Sequence, residues 1–217
     1  SIAYFPEKVS SVIFSGLFWT VFLAGISLVI AFTLGTFLGI IIAWNRSGKL
    51  DSSLPPILAF LGAFPYFWLA MASLYIFGFS LNWFPLGHAY ANHLVPEFSF
   101  PFLISALYHA ILPAFTMIFV SLGGWMLSMR NTMISTLGSD YITFAHATGL
   151  SSRLIMIRYA ARNAIIPNLT GFGMALGFVL SGALLTEIIF SYPGQGYLLL
   201  QAVKAQDFPL MQGLFMT

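Results

Sequence analysis

The stretch FWTVFLAGISLVIAFTLGTFLGIIIAW, residues 18–44, contains no charged side chain. A membrane-spanning helix needs about 20 mostly apolar residues, because the hydrocarbon core of a bilayer is about 30 Å thick. A helix that is apolar on all sides must be surrounded by other apolar groups, either protein or lipid. This stretch therefore predicts one crossing of a membrane.

The remainder of the chain has the same character. Of its 217 residues, 59% are hydrophobic and only 6% are charged, whereas about 25% are charged in an ordinary soluble domain. Charged residues are missing throughout four intervals, each long enough for one crossing. We place the four crossings at about 18–44, 56–79, 111–134 and 165–190. The expected fold class is an all-α integral membrane domain.

The connections between these crossings differ in charge. Residues 45–53 and 135–164 carry an excess of arginine and lysine, whereas 81–110 and 191–210 do not. Cytoplasmic connections of membrane proteins are enriched in arginine and lysine. We therefore expect the first two connections in the cytoplasm and the other two outside, which agrees with strict alternation of the crossings.

This topology places residues 1–15 outside, so we expect a further crossing before them. Residues 211–217 begin another apolar stretch. We expect residues 1–217 to form a single transmembrane domain with four complete crossings, out of about six in the full chain. The upstream helix and most of the last helix would then lie beyond this sequence.

Small residues and one proline mark places where the crossings should pack or bend. Gly35 and Gly39, like Gly173 and Gly177, have the GxxxG spacing that lets two helix backbones approach closely. We expect these glycines to serve helix packing, with a moving or pore-lining role as the alternative. Pro65 lies inside the second predicted crossing and should kink it.

The cytoplasmic stretch GSDYITFAHATGLSSRLIMIRYAARNAIIP, residues 138–167, predicts a short helix followed by a longer one. Ser139 is a suitable N-cap, and Asp140 in the first turn favours the positive end of the helix dipole. Gly149 can adopt the left-handed conformation that ends a helix. Ser151 can then cap the second helix, which runs toward the membrane.

On the short helix, Tyr141, Phe144, Ala145 and Thr148 recur at intervals of three and four residues. They should form one semi-apolar face. Such a face on a cytoplasmic helix needs a partner. The partner is another protein, or else the membrane surface or the chain's own helices.

The order of residues in this segment resembles a known family. Ala145, Ala147 and Gly149, followed by Ile166 and Pro167, resemble the EAA motif of bacterial and archaeal ABC importer permeases. Here Phe144 occupies the first position of the motif, where an acidic residue is common. The stretch TEIIFSYPGQGYLLLQAVKAQDFPLMQG, residues 186–213, is similar to the dipeptide, oligopeptide and nickel permeases of the B type.

The resemblance implies the membrane domain of a type I ABC importer, with residues 139–164 as its cytoplasmic coupling (EAA) segment. Its short helix would bind in a groove of a separate ATPase subunit. The residues implied in this docking are Ser139, Asp140, Tyr141, Phe144, Ala145, Ala147, Thr148, Gly149 and Leu150.

The resemblance also implies partners and a location. The partners are a second homologous permease subunit, two ABC ATPase subunits, an extracytoplasmic solute-binding protein and membrane lipid, with no nucleic acid. The location is the cytoplasmic membrane of a bacterium or archaeon, crossed several times.

The sequence lacks the GxxxxGK[ST] phosphate loop of P-loop ATPases. Its one Gly-Lys pair, Gly48 and Lys49, is followed by Leu50. We therefore expect no enzyme activity and no cofactor in this chain, with ATP and magnesium bound by the partner ATPase. His88, His93 and His109 could in principle bind a metal, but their spacing supports no defined site.

The expected function is to move dipeptides or oligopeptides into the cytoplasm, with nickel or oligosaccharides as alternative substrates. The alternative from another class is an ion-coupled secondary transporter, which normally has ionisable residues in mid-membrane. In this sequence only Glu187 qualifies, and it is either a gate residue or a helix-end residue paired with a polar neighbour. Candidate pathway or gate residues are Asn168, Ser181, Thr186 and Glu187.

Overall fold

The computed structural model describes residues 1, 3–46, 48–97, 99–179 and 183–216, and all regular secondary structure in these ranges is helical. The α-helices with described bounds are α1 (Val9–Trp44), α2 (Lys49–Gly62), α3 (Tyr66–Ser73), α4 (Phe100–Leu137), α5 (Asp140–Ala147), α6 (Ser152–Leu154), α7 (Arg162–Gly177), α8 (Leu184–Ile189), α9 (Gln195–Lys204) and α10 (Phe208–Phe215). A π-helical stretch, Leu74–Ser80, continues α3, and another, Ile155–Ala161, joins α6 to α7.

The chain forms two compact units, each built from separate parts of the sequence. The first unit consists of Ser1–Ser27, Pro65–Met117 and Phe178–Thr217. The second consists of Leu28–Phe64 and Ile118–Gly177. Helices α1 and α4 therefore contribute residues to both units.

Helices α1 and α4 are each long and apolar enough to cross a membrane. They contain 36 and 38 residues, which at 1.5 Å per residue gives lengths of about 54 and 57 Å. Long apolar helices therefore occupy the stretches 18–44 and 111–134, where crossings were predicted. Both helices begin earlier than predicted, at Val9 and Phe100.

The other two predicted crossings are interrupted. Helix α2 ends at Gly62, and Pro65 precedes α3 with an extended backbone (φ −56°, ψ 127°). The expectation of a kink within one continuous helix at Pro65 is wrong. The helix breaks here because proline offers no N–H to an upstream carbonyl and is tolerated at a helix start. The predicted crossing at 165–190 likewise divides into α7 and α8.

In the second unit, α1 and α4 run in the same direction. A Cβ added to Gly35 would lie 2.6 Å from the Cβ of Trp125, and one added to Gly39 would lie 2.7 Å from the carbonyl oxygen of Met126. Later residues of α1 therefore contact later residues of α4, as expected for helices that run in the same direction. The predicted packing role of Gly35 and Gly39 is confirmed, since neither position has room for a side chain.

Helices α2 and α7 run opposite to α4. On α7, Asn168 contacts Ser128, whereas Gly171, farther along, lies near the earlier residue Trp125. On α2, Asp51 pairs with Arg130, whereas Leu58 approaches Gly123. Successive long segments of the second unit therefore alternate in direction, as the charge pattern predicts.

The first unit has a core rich in aromatic side chains. Trp19 contacts Tyr90 at a ring-centroid distance of 5.8 Å, and contacts Tyr192 edge to face at 5.8 Å. The loop before α4 is bound to this core through His88, whose N–H donates to the carbonyl oxygen of Phe190 (3.1 Å). The buried members of the core are Leu23, Ala70, Ala89, Ala110, Leu112, Phe190 and Tyr192.

The alternating topology makes a labelling prediction that uses exposed positions. Residues 1–217 contain no cysteine, so single cysteines placed at Asn92, Gln206 or Arg153, all exposed, are the labelling sites within this range. In intact cells, a membrane-impermeant maleimide should label the first two variants, and it should label Arg153→Cys only after permeabilisation. The opposite pattern would contradict the predicted orientation.

Candidate functional site

The start of the short helix α5 is set by Ser139. This residue has the extended backbone of an N-cap (φ −81°, ψ 147°), and its carbonyl oxygen accepts the N–H of Ile142 at 3.0 Å. The predicted N-cap position is therefore confirmed. Its side chain makes no capping hydrogen bond with the described residues, so Asp140, in the first turn, provides the favourable interaction with the helix dipole.

The end of α5 is set by Gly149. Its φ is +77°, and the left-handed stop expected from the sequence is confirmed. The N–H of Gly149 donates to the carbonyl oxygen of His146 (3.0 Å), and that of Leu150 donates to the carbonyl oxygen of Ala145 (3.3 Å). This is the Schellman arrangement, which satisfies the last carbonyl groups of a helix. Helix α5 therefore has a defined start after Ser139 and a defined end before Gly149.

The inner face of α5 packs on the chain's own helices. Ile142 and Ala145 are buried in a cluster that includes residues of α1, α4 and α7. The predicted semi-apolar face is therefore divided, because Ala145 packs inward whereas Tyr141 and Phe144 are exposed. At 100° per residue, Ala145 lies between Phe144 and Ile142, and its small side chain lets α5 approach the helices beneath it. The cluster also contains Ala43, Met129, Met133, Ile155, Ala160, Ala161 and Ala164.

The outer face of α5 carries aromatic side chains. Phe144 is 70% exposed and Tyr141 is 40% exposed. The hydroxyl of Tyr141 accepts a hydrogen bond from Nδ2 of Asn163 in α7 (3.0 Å). Ala147 and Thr148 are also exposed. On this face, a hydrogen bond holds the Tyr141 side chain, whereas most of the Phe144 side chain is exposed.

Asn168 holds three helices of the second unit together. It is buried, and its Oδ1 accepts a hydrogen bond from the Ser128 hydroxyl in α4 (2.6 Å). Its Nδ2 lies 3.4 Å from both the Thr36 hydroxyl in α1 and the carbonyl oxygen of Trp125. In this chain Asn168 therefore ties helices together, and its role in a pathway stays a prediction.

Glu187 is the centre of a buried polar network in the first unit. Its side chain is completely buried. Oε1 accepts the Thr20 hydroxyl and Oε2 accepts the N–H of Gly196, both at 2.6 Å. The Thr20 hydroxyl accepts the N–H of Gln195 at 2.8 Å. Glu187 and Thr20 together thus cap the N-terminus of α9, where free N–H groups need acceptors. The expectation that Glu187 pairs with a backbone or polar neighbour is confirmed.

Two glycines make room for the Glu187 carboxylate. A Cβ added to Gly194 would overlap the carboxylate itself. One added to Gly196 would lie 2.8 Å from the carbonyl oxygen of Leu184. Gly194 and Gly196 of the PGQG sequence, residues 193–196, are therefore required by close packing. Thr20 lies far away in the sequence, within an apolar run, and no local pattern identifies it.

The remaining candidate gate residues are less defined. Thr186 is buried, and its hydroxyl has no hydrogen-bond partner among the described residues. Ser181 lies outside the described residues. Across the parts of the chain that the structure describes, three or more potential metal ligands do not cluster.

Comparison with known proteins identifies the family of this chain. Residues 35–217 match the family described as the binding-protein-dependent transport system inner membrane component. The chain belongs to this family. Membership of it, together with the two long apolar helices, makes the chain a membrane protein with the fold of a type I ABC importer domain.

Members of this transport family with curated names include peptide permeases. A putative peptide permease protein of Brucella suis is 36% identical over 216 residues, covering 98% of this chain and 65% of the relative. The probable D,D-dipeptide transport system permease protein DdpB of Escherichia coli is 37% identical over 202 residues, covering 86% and 59%. The di/tripeptide transport system permease protein DppB of Pseudomonas aeruginosa is 32% identical with the same coverage. This chain thus spans 65% or less of the length of these relatives.

The Glu187 network makes a stability prediction. Glu187→Ala would leave the Thr20 hydroxyl and the N–H of Gly196 buried without their acceptor, at a cost of about 1–3 kcal/mol for each group. The thermal unfolding temperature of the detergent-purified protein should therefore fall, and Glu187→Gln, which keeps one acceptor oxygen, should give a smaller decrease. Glu97→Ala, which removes an exposed carboxylate, is the control. Equal unfolding temperatures for Glu187→Ala and Glu97→Ala would contradict this account.

Proposed function

We propose that this chain is the pore-forming permease subunit of an ATP-driven importer that moves dipeptides or oligopeptides into the cytoplasm. The observation that carries the proposal is helix α5. It is short, stopped at both ends, fixed to the helices beneath it, and presents Phe144 outward. Such a helix suits the binding groove of a separate ATPase subunit.

In this mechanism, closure of two ATPase subunits around ATP displaces α5. The displacement passes into α1, α4 and α7 through the apolar cluster that contains Ile142 and Ala145. Closely packed side chains resist compression, so a cluster of this kind moves as a body. The membrane helices then shift between two arrangements that open the pathway to one side or the other.

The proposed ATPase-docking surface is centred on Tyr141, Phe144, Ala147 and Thr148, which are exposed on α5. Ser139, Asp140, Gly149 and Leu150 set the two ends of the helix. Ala145 does not belong to the exposed surface. Its buried side chain sets how closely α5 approaches the helices on which it packs. Asn168, Thr186 and Glu187 remain proposed pathway or gate residues that would act by holding helices in place.

The proposed assembly contains a second homologous permease subunit, two ATPase subunits and an extracytoplasmic solute-binding protein within the cytoplasmic membrane. ATP and magnesium bind in the ATPase subunits, and this chain catalyses no reaction. The peptide substrate is supported by the names of the relatives, which include dipeptide, di/tripeptide and oligopeptide transport system permeases. An ion-coupled transporter is less well supported, because Glu187 is fully engaged as a helix cap.

The docking surface is tested with a charge placed on α5. Phe144→Asp would bury an unpaired carboxylate in an apolar contact, which costs several kcal/mol. In the assembled full-length transporter, we expect this variant to insert normally, to lose the copurifying ATPase and to stop ATP-dependent peptide uptake. Asn45→Asp introduces the same charge at an exposed position of the other predicted cytoplasmic connection, residues 45–53, and should leave both properties unchanged.

Two outcomes would contradict the proposal. One is normal uptake by Phe144→Asp. The other is lost uptake with full ATPase association and normal substrate-stimulated ATP hydrolysis, because α5 would then not transmit the effect of the ATPase.

A further inference from the structure

A partly buried ion pair joins α2 to α4 in the second unit. Nη2 of Arg130 lies 2.5 Å from Oδ1 of Asp51, and Nε of Arg130 donates to the same oxygen at 2.7 Å. The two side chains are 22% and 12% exposed. Charge-assisted hydrogen bonds of an arginine have a fixed direction, and partial burial reduces their screening by salt. The pair therefore fixes both the distance and the orientation between the helices.

The ion pair lies at one end of the contact between α2 and α4. Seven residues farther along α2, and seven residues back along α4, Leu58 packs against Gly123. A Cβ added to Gly123 would lie 3.0 Å from the carbonyl oxygen of Leu58. Between these ends the contact is apolar, with Ile42, Leu54, Leu58, Met126 and Leu127 in one cluster. Apolar contacts have no preferred direction, so the ion pair gives the described part of this interface a fixed direction.

The same part of α4 supports the coupling helix. Met129 and Met133, which flank Arg130, are buried in the cluster that holds Ile142 and Ala145 of α5. Helix α1 also meets α4 here, because a Cβ added to Gly39 would lie 3.0 Å from the backbone nitrogen of Arg130. One region of α4 thus contacts α5 through its methionines and α2 through its arginine.

We infer that Asp51 and Arg130 are positioning residues of the transport cycle, whose ion pair makes α2 follow the movement of α5 and α4. This inference rests on the proposed function. A displacement of α5 reaches α4 through the apolar cluster. The ion pair transmits this displacement from α4 to the start of α2, so that the two helices move together. Without the pair, α2 could slip along the apolar contact while ATP hydrolysis continues.

The inference is tested by a double-mutant cycle in the full-length transporter, assembled with its ATPase and reconstituted in liposomes. The variants are Asp51→Asn, Arg130→Met and their combination. The measured quantity is peptide transported per ATP hydrolysed, calculated per assembled complex. Each single variant should lower this ratio about tenfold, which is within the usual range of coupling between sites. The double variant should lower it no further, since one interaction is removed only once.

Two further variants provide comparisons. Arg46→Met removes an exposed arginine from the same predicted cytoplasmic side, in the connection 45–53, and should leave the ratio unchanged. Arg130→Lys keeps the positive charge without the two-donor geometry, so its ratio should lie between wild type and Arg130→Met. It also supplies a folded comparison if a neutral variant assembles poorly.

The possible results separate this inference from the proposed function. A wild-type protein without ATP-driven uptake would overturn both. Normal wild-type transport with an unchanged ratio in the single variants would overturn only the inference, even if their thermal stability fell, because the pair would then be purely structural. Losses that multiply in the double variant would also overturn it, since the two residues would then act independently.

Discussion

In a bilayer there is no water to satisfy backbone N–H and C=O groups, so the chain must satisfy them itself. The long helices do this along their lengths. Helix ends in the connections also need partners from elsewhere, because their terminal N–H and C=O groups have none within the helix. At the start of α9 the acceptors are the buried side chains of Glu187 and Thr20. At the end of α5 the backbone of Gly149 and Leu150 takes this role. These groups define where the helices stop, and thereby how the segments around them are positioned.

The same constraint explains how the long helices associate. Apolar side chains gain little from leaving lipid, so helices in membranes associate through close backbone contact and hydrogen bonds. Gly35 and Gly39 provide close contact between α1 and α4. Asn168 provides hydrogen bonds between α1, α4 and α7. Helix α5 packs against this framework through Ile142 and Ala145.

The features that the sequence predicts well are local. The limits of α5 follow from Ser139 and Gly149, since each acts on its immediate neighbours. The apolar runs predict α1 and α4 for the same reason. The effect of Pro65 is not fixed locally. One proline can either kink or end a helix, and which of the two occurs depends on packing. The pairing of Glu187 with Thr20, and of Asp51 with Arg130, depends on the tertiary fold and has no local signal. Gly173 and Gly177 have the same spacing as Gly35 and Gly39, yet no described atom lies within 4 Å of a Cβ added to either.

The central claim is that the outer face of α5 binds an ATPase while its inner face binds the chain itself. Site-specific photocrosslinking in the assembled transporter tests this directly. A benzophenone amino acid at position 144, which is exposed, should crosslink to the ATPase subunit, whereas one at position 142, which is buried, should crosslink only within the chain. Crosslinking of position 144 to lipid or to this chain, with none to the ATPase, would contradict the account.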